Sequence, residues 1–121
     1  MLIAVAGPYS APTSEAREAN LQAMNRAAAE LARRGHVPVI GVNAALGVIE
    51  ALQPTDPYAA MMAISLAVVE RCDAILVIGE SPGVTRERDL LASRERPVYS
   101  SVEDVPDLGC PEWAANGRDQ D

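Results

Sequence analysis

Short unbroken apolar runs alternate along this chain with longer segments in which apolar residues recur every three or four positions. Leu2 to Ala6 is the first run, ended by Gly7-Pro8. A run this short and apolar throughout suits a strand covered on both faces. After a polar loop through Ser14, the stripe Leu21, Met24, Ala28 and Leu31 predicts a long helix, which Arg33, Arg34 and Gly35 close with basic charge and a C-terminal glycine. His36 to Ile40 predicts the second strand, and residues 43–52 carry a weaker pattern, that of a short helix within a loop. Asp56-Pro57 then makes a sharp helix start, an N-cap followed by proline, and Met61, Ile64, Val68 and Cys72 recur behind it at helical spacing.

Ala74 to Ile78 reads as the third strand, and Gly79 ends it. Past Ser81-Pro82-Gly83 the pattern predicts a helix whose inner stripe runs through Val84, Glu87 and Leu91. Pro97 to Tyr99 predicts a short fourth strand, and Ser101 to Val105 a last turn of helix. Strands alternating with helices predict an α/β domain over residues 1–106. Its expected form is a flavodoxin-like or Rossmann-like three-layer sandwich with a parallel sheet of four or five strands, order 2-1-3-4 with a possible fifth at the edge. Residues 107–121 are polar and sparse in apolar residues, Trp113 being the exception, and read as a flexible tail.

Composition narrows the function classes. A chain of 121 residues supports one core, and 49% hydrophobic residues exclude a disordered protein. Aromatic residues are 3% with no Phe, so the core must be aliphatic. A formal net charge of -7, with every basic residue an Arg, argues against a nucleic-acid polymer as partner. Small anions can still bind at helix N-termini and single Arg side chains. Cys72 and Cys110 are too few for a zinc site and read as reduced thiols, Cys72 as packing; no metal and no cofactor are expected. Leu2 to Ala6 lacks a basic leader and the length of a signal-peptide core, and no run approaches a membrane span. A cytoplasmic protein without a membrane partner is the expectation.

In a doubly wound sheet, ligands sit beyond the carboxyl ends of the strands at the switch point, here between the first and third strands. Gly7-Pro8-Tyr9 and Ser81-Pro82-Gly83 should therefore converge on one pocket. Glu87 breaks the apolar stripe behind that turn. An acid on an inward face must be paired, protonated or useful. His36 reads as structural, Asp73 as a tether at the strand start, Asn20 as a surface helix residue, and Met61 and Met62 as core or subunit contact.

GPYSAP after the first strand, RCDAILVI into the third and SPGVTRE opening the next helix resemble the nucleoside 2-deoxyribosyltransferase superfamily, especially its small bacterial members of unassigned function, over roughly residues 1 to 100. The resemblance implies N-glycosidic bond cleavage or glycosyl transfer on a nucleoside or nucleoside 5'-monophosphate. Glu87 would be the nucleophile that forms a glycosyl-enzyme intermediate, with Ser81 and Gly83 at the 5' substituent and Gly7 and Tyr9 beside the glutamate. It also implies a homodimer or larger homo-oligomer, since the resembling enzymes complete their sites with a neighbouring subunit. The helix N-terminus at Ser81 is expected to keep Glu87 ionised against the desolvation that raises a buried carboxyl's pKa.

The chain departs from the family at one place. Where active members carry an aspartate eight residues before Asp73, this sequence has Ser65. A serine can hydrogen-bond a base or a water but cannot act as a general acid at neutral pH. Arg86 and Asp56 are the groups that would supply polarity in its place, and a rise in rate on restoring aspartate would mark a lost acid. A nucleotide-binding protein of the same fold without efficient turnover is therefore the alternative. A flavodoxin-like carrier fits less well, because Tyr9 is the one obvious stacking group at these loops.

Overall fold

A computed structural model describes residues 1–117; residues 118–121, the end of the expected tail, lie outside the described residues. Strands β1 (Leu2–Ala6), β2 (Val37–Val39), β3 (Ala74–Val77) and β4 (Val98–Tyr99) form an all-parallel sheet in the order β2-β1-β3-β4. Helices α1 (Ser14–Arg33), α2 (Gly41–Leu52), α3 (Pro57–Glu70) and α4 (Pro82–Ser93) flank it. The result is a flavodoxin-like three-layer α/β fold, with no fifth strand among the described residues.

Alternate residues of the two central strands serve opposite faces. Ile3, Val5, Ala74 and Leu76 pack with Met24 and Leu31 of α1, while Ala4, Ala6, Ile75 and Val77 pack with Val69 of α3 and Val84 and Leu91 of α4. Both faces are covered, so both sets of positions must be apolar. The strand starts are pinned by Asp73, whose carboxylate accepts from Leu2 N–H at 2.8 Å while its own N–H donates to Leu2 O at 2.7 Å.

The long helix ends as its sequence predicts. Gly35 takes φ +95°, letting His36 N–H reach Leu31 O and Gly35 N–H reach Ala32 O, both at 3.1 Å. This corner also receives the segment after β4. Leu108 N–H donates to Arg34 O at 2.8 Å, and the buried His36 donates from Nε2 to Pro106 O at 2.6 Å. A Cβ at position 35 would stand 2.9 Å from Gly109 O, so glycine is required there twice over.

β2 and β4 are shorter than the expected 36–40 and 97–99, and three further elements differ from the sequence pattern. β3 stops at Val77, and the Ile78 side chain is exposed although its N–H still donates to Ala6 O at 2.9 Å. Segment 43–52 belongs to a full helix of 12 residues, α2, packed along α3. Its pattern is weak because Val48 and Leu52 are exposed while Gly41 and Ala45 are buried, which removes the contrast between faces. In α3 the buried positions are Met61, Met62, Ser65 and Val69 rather than Met61, Ile64 and Val68. Glu70 is its only charged residue, so apolar periodicity has no direction to choose. The consequence is functional, because this rotation turns Ser65 inward. Among the described residues, no helix is long and apolar enough to cross a membrane.

Candidate active site

The carboxyl ends of β1 and β3 lie side by side, with Ala6 opposite Val77. Their loops touch through glycine: a Cβ on Gly79 would lie 2.7 Å from Pro8 Cδ, and one on Gly7 2.8 Å from Ile78 Cγ1. The first turns of α1 hold the β1 loop from the other side. Asn20 Nδ2 donates to Tyr9 O at 3.1 Å and Arg17 to Ala11 O at 2.9 Å. Asn20 is thus a half-buried tether for the Tyr9 loop rather than a surface residue.

Ser81 is the N-cap of α4. Its Oγ accepts from Val84 N–H at 3.1 Å, and Pro82 follows at the first helical position. Gly83 lets α3 approach, since a Cβ there would meet Met62 Sδ at 3.2 Å.

These elements enclose a cavity of about 390 Å³, within the range of roughly 300–1,000 Å³ usual for small-molecule sites. Gly7, Tyr9 and Ser10 line it from the β1 loop, Tyr58, Met61 and Met62 from α3, and Ser81, Gly83 and Glu87 from the α4 side. Five of the six residues singled out in the sequence therefore line the same cavity. Ser65 does not join them there. It is fully buried behind the wall, and its hydroxyl donates to Glu87 Oε1 at 2.7 Å.

Three effects compete for the charge of Glu87, which is 6% exposed. The helix dipole contributes about 0.3–1 kcal/mol and fades beyond the first turn, whereas Glu87 sits in the second. Burial acts against the charged form more strongly. It raises the carboxyl above its ordinary value of 4.5, and the Ser65 hydrogen bond, which lowers it, only partly compensates. The expected protection by the helix end is thus overridden by depth.

Neither group expected to replace the missing acid lines the cavity. Asp56 caps α3, accepting from Ala59 N–H at 3.0 Å, and the Arg86 guanidinium stands over the Tyr58 ring, 6.0 Å from its centre. Among the described residues, the lining contains no Arg or His.

Two residues of the site escaped the sequence reading. Tyr58 is a second aromatic wall, and its only signal was a tyrosine placed directly after the Pro57 helix start. Gly41, at the start of α2, is the other: a Cβ there would lie 2.2 Å from Ser65 Oγ. Its signal was a glycine between a strand and an apolar helical segment, which is too common to single out. Beside the main cavity, a hollow of about 290 Å³ shares Tyr9, Ser10, Tyr58 and Met61 and adds Leu46, Ile49 and Pro57.

No protein-family model matches the chain, and no curated protein matches it. Function must therefore be argued from the chemistry of the site. That chemistry is a carboxyl with one oxygen anchored from behind, set among apolar and hydroxyl-bearing side chains without a cation.

Proposed function

We propose that the protein cleaves or transfers the glycosyl group of a nucleoside or nucleoside 5'-monophosphate through a covalent intermediate on Glu87. The observation that carries this reading is the buried Glu87 carboxyl on the cavity wall, fixed at Oε1 and adjacent to the Ser81-Gly83 turn. A carboxylate oxygen attacks the anomeric carbon, and the C–N bond breaks with its electron pair leaving on the base, which takes a proton from solvent water. An oxocarbenium-like centre develops between the two, and the adjacent carboxylate stabilises it before bonding. Water, or a second base, then attacks the same carbon, returns the C–O electron pair to Glu87 and gives up its proton to solvent, replacing the one taken by the departing base.

The sugar in this reading lies against Glu87 with its 5' end toward Ser81, whose Oγ accepts from Val84 N–H and so keeps its own O–H for the ligand. The base occupies the apolar hollow beside Tyr58. A lining without cations favours the uncharged nucleoside over its 5'-phosphate. Incubation with a panel of deoxyribonucleosides, ribonucleosides and their monophosphates is expected to release free base from at least one, detected by chromatography. Tight binding of one member with no release from any would replace the enzyme by a nucleotide-binding protein.

We further propose a homodimer or larger assembly in the cytoplasm. Ala63, Leu66, Ala67 and Leu90 form an open apolar groove between α3 and α4, edged by Glu70, Arg86 and Asp89, and both cysteines are free thiols. Light scattering is expected to give at least twice the chain mass of 12.8 kDa. A monomer at working concentration would reject the assembly.

A further inference from the structure

Ser65 occupies the place at which the resemblance leads one to expect an acid, yet it faces the carboxyl of Glu87 from behind and takes no part in the cavity wall. It is 0% exposed, and it also packs against the bare Cα of Gly41, where a Cβ would lie 2.2 Å from Oγ and 3.1 Å from the Ser65 Cβ. Three helices thus meet at the Ser65 hydroxyl: Gly41 opens α2, Ser65 lies in α3, and Glu87 in α4. The serine hydroxyl has one proton, and it donates it to Glu87 Oε1, the two oxygens 2.7 Å apart.

We infer that Ser65 is a positioning residue for Glu87, its hydroxyl anchoring Oε1 so that Oε2 faces the substrate, with Gly41 reserving the space that hydroxyl needs. This rests on the reading of Glu87 as nucleophile and extends it to two residues that touch no substrate. Among the described residues Oε2 has no hydrogen-bond partner and is not fully enclosed, as expected of an oxygen that reaches the cavity. A carboxylate free to rotate about its last torsion would meet the anomeric carbon in the right orientation less often. The single anchor also favours the ionised form, in a place where burial opposes it.

No other side chain does this work. From the β1 loop the titratable group sharing the cavity is Tyr9, and from α3 it is Tyr58; α2 contributes Val42. Cys72, after α3, is pushed up to about 11 by burial first, with Asp73 and Glu87 adding to it and Arg96 opposing, so it is a neutral thiol at physiological pH. On α4 itself Arg88 is turned to Glu80, at 2.9 Å, and Arg86 to Tyr58. Among the described residues, Ser65 accordingly supplies the one side-chain hydrogen bond to the Glu87 carboxyl.

The test reads the carboxyl with and without turnover. In protein labelled with carbon-13 at the glutamate side-chain carboxyl, with the Glu87 signal assigned by its loss in Glu87→Gln, Ser65→Ala is expected to move the Glu87 titration midpoint to higher pH. Base release should fall by roughly tenfold to a hundredfold at neutral pH, in kcat with little change in KM, and its acidic limb should shift upward in step. Ser65→Cys, of similar size but a weak donor, is expected to behave as the alanine variant does and keeps the test open should alanine at this site not fold. Gly41→Ala should move the midpoint in the same direction by displacing the hydroxyl. A midpoint that stays in place in the Ser65 variants overturns the role of Ser65, and one that stays in place in Gly41→Ala overturns that of Gly41. Should the wild-type protein release no base from any nucleoside while the midpoint still moves, the proposed reaction fails and the anchor stands.

Discussion

Glu87→Gln is expected to abolish base release and, at the same time, to make the protein harder to unfold at neutral pH. The loss in rate should be roughly a thousandfold or more, as when the residue that forms the covalent bond is removed from other enzymes. The gain in stability follows from the sign of the pKa shift. Burial raises the folded-state carboxyl above 4.5, the Ser65 bond offsetting part of this, so the folded protein holds a proton that the unfolded chain has already released. Below the unfolded value both states are protonated, and the contribution of Glu87 to stability is fully present. As pH rises through the folded value that contribution is lost, because the native state must then carry a charge in a buried place. Glutamine has the same shape, can accept the Ser65 hydrogen bond and never titrates. Thermal unfolding of the two proteins between pH 4 and pH 8 should therefore coincide at the acid end and separate upward, with the variant melting higher. Unchanged turnover would reject Glu87 as nucleophile, and a melting difference independent of pH would reject burial as the origin of the shift.

How much of this could be read from the chain depended on whether the signal was local. The α1 stripe, the Gly35 stop and the Asp56-Pro57 start are each decided within a few residues, and each stands where the pattern put it, whereas α4 already begins at Pro82, inside the turn read at Ser81-Pro82-Gly83. The strand order followed from alternation of elements together with handedness, and it places the β1 and β3 loops side by side. Glu87 was visible as an anomaly, a charge on an otherwise apolar stripe. Its protonation balance was not, because the depth of the site is set by α2 and α3, far away in sequence. Ser65 was misplaced for a related reason: α3 is apolar on nearly every side, and only packing against α2 and α4 decides which residues turn inward. The meaning of Gly41 lies entirely in the distance between two helices, and no pattern within one helix encodes it. Residues 107–109 read as the start of a tail, yet Leu108 N–H donates to Arg34 O, just after Val105 O and Pro106 O are met by Arg34 and His36 from the far end of α1.

Ser65→Asp, which family resemblance presents as a restoration, is expected instead to destabilise the protein and lower its rate. The Ser65 side chain is fully enclosed, in contact with both the Gly41 backbone and Glu87. The larger aspartate must push the start of α2 away, and overpacking of this kind costs about 1–3 kcal/mol. It also brings a second carboxyl within hydrogen-bond reach of the first in a site without a cation. Two such groups cannot both ionise and would share one proton, so the pair titrates in two steps and Glu87 spends more of its time protonated at neutral pH. The combined penalty should approach about 3 kcal/mol or more, a large part of the roughly 5–15 kcal/mol that holds a domain together. Urea unfolding is expected to show this loss at pH 7 and to recover part of it on acidification, as the pair becomes fully protonated. Base release should fall with the ionised fraction of Glu87. A variant of wild-type stability that releases base faster would overturn this and make position 65 the site of a lost leaving-group acid; a less stable and slower one means that the serine suits a nucleophile that needs an anchor behind it, with the proton for the departing base drawn from the open side of the cavity.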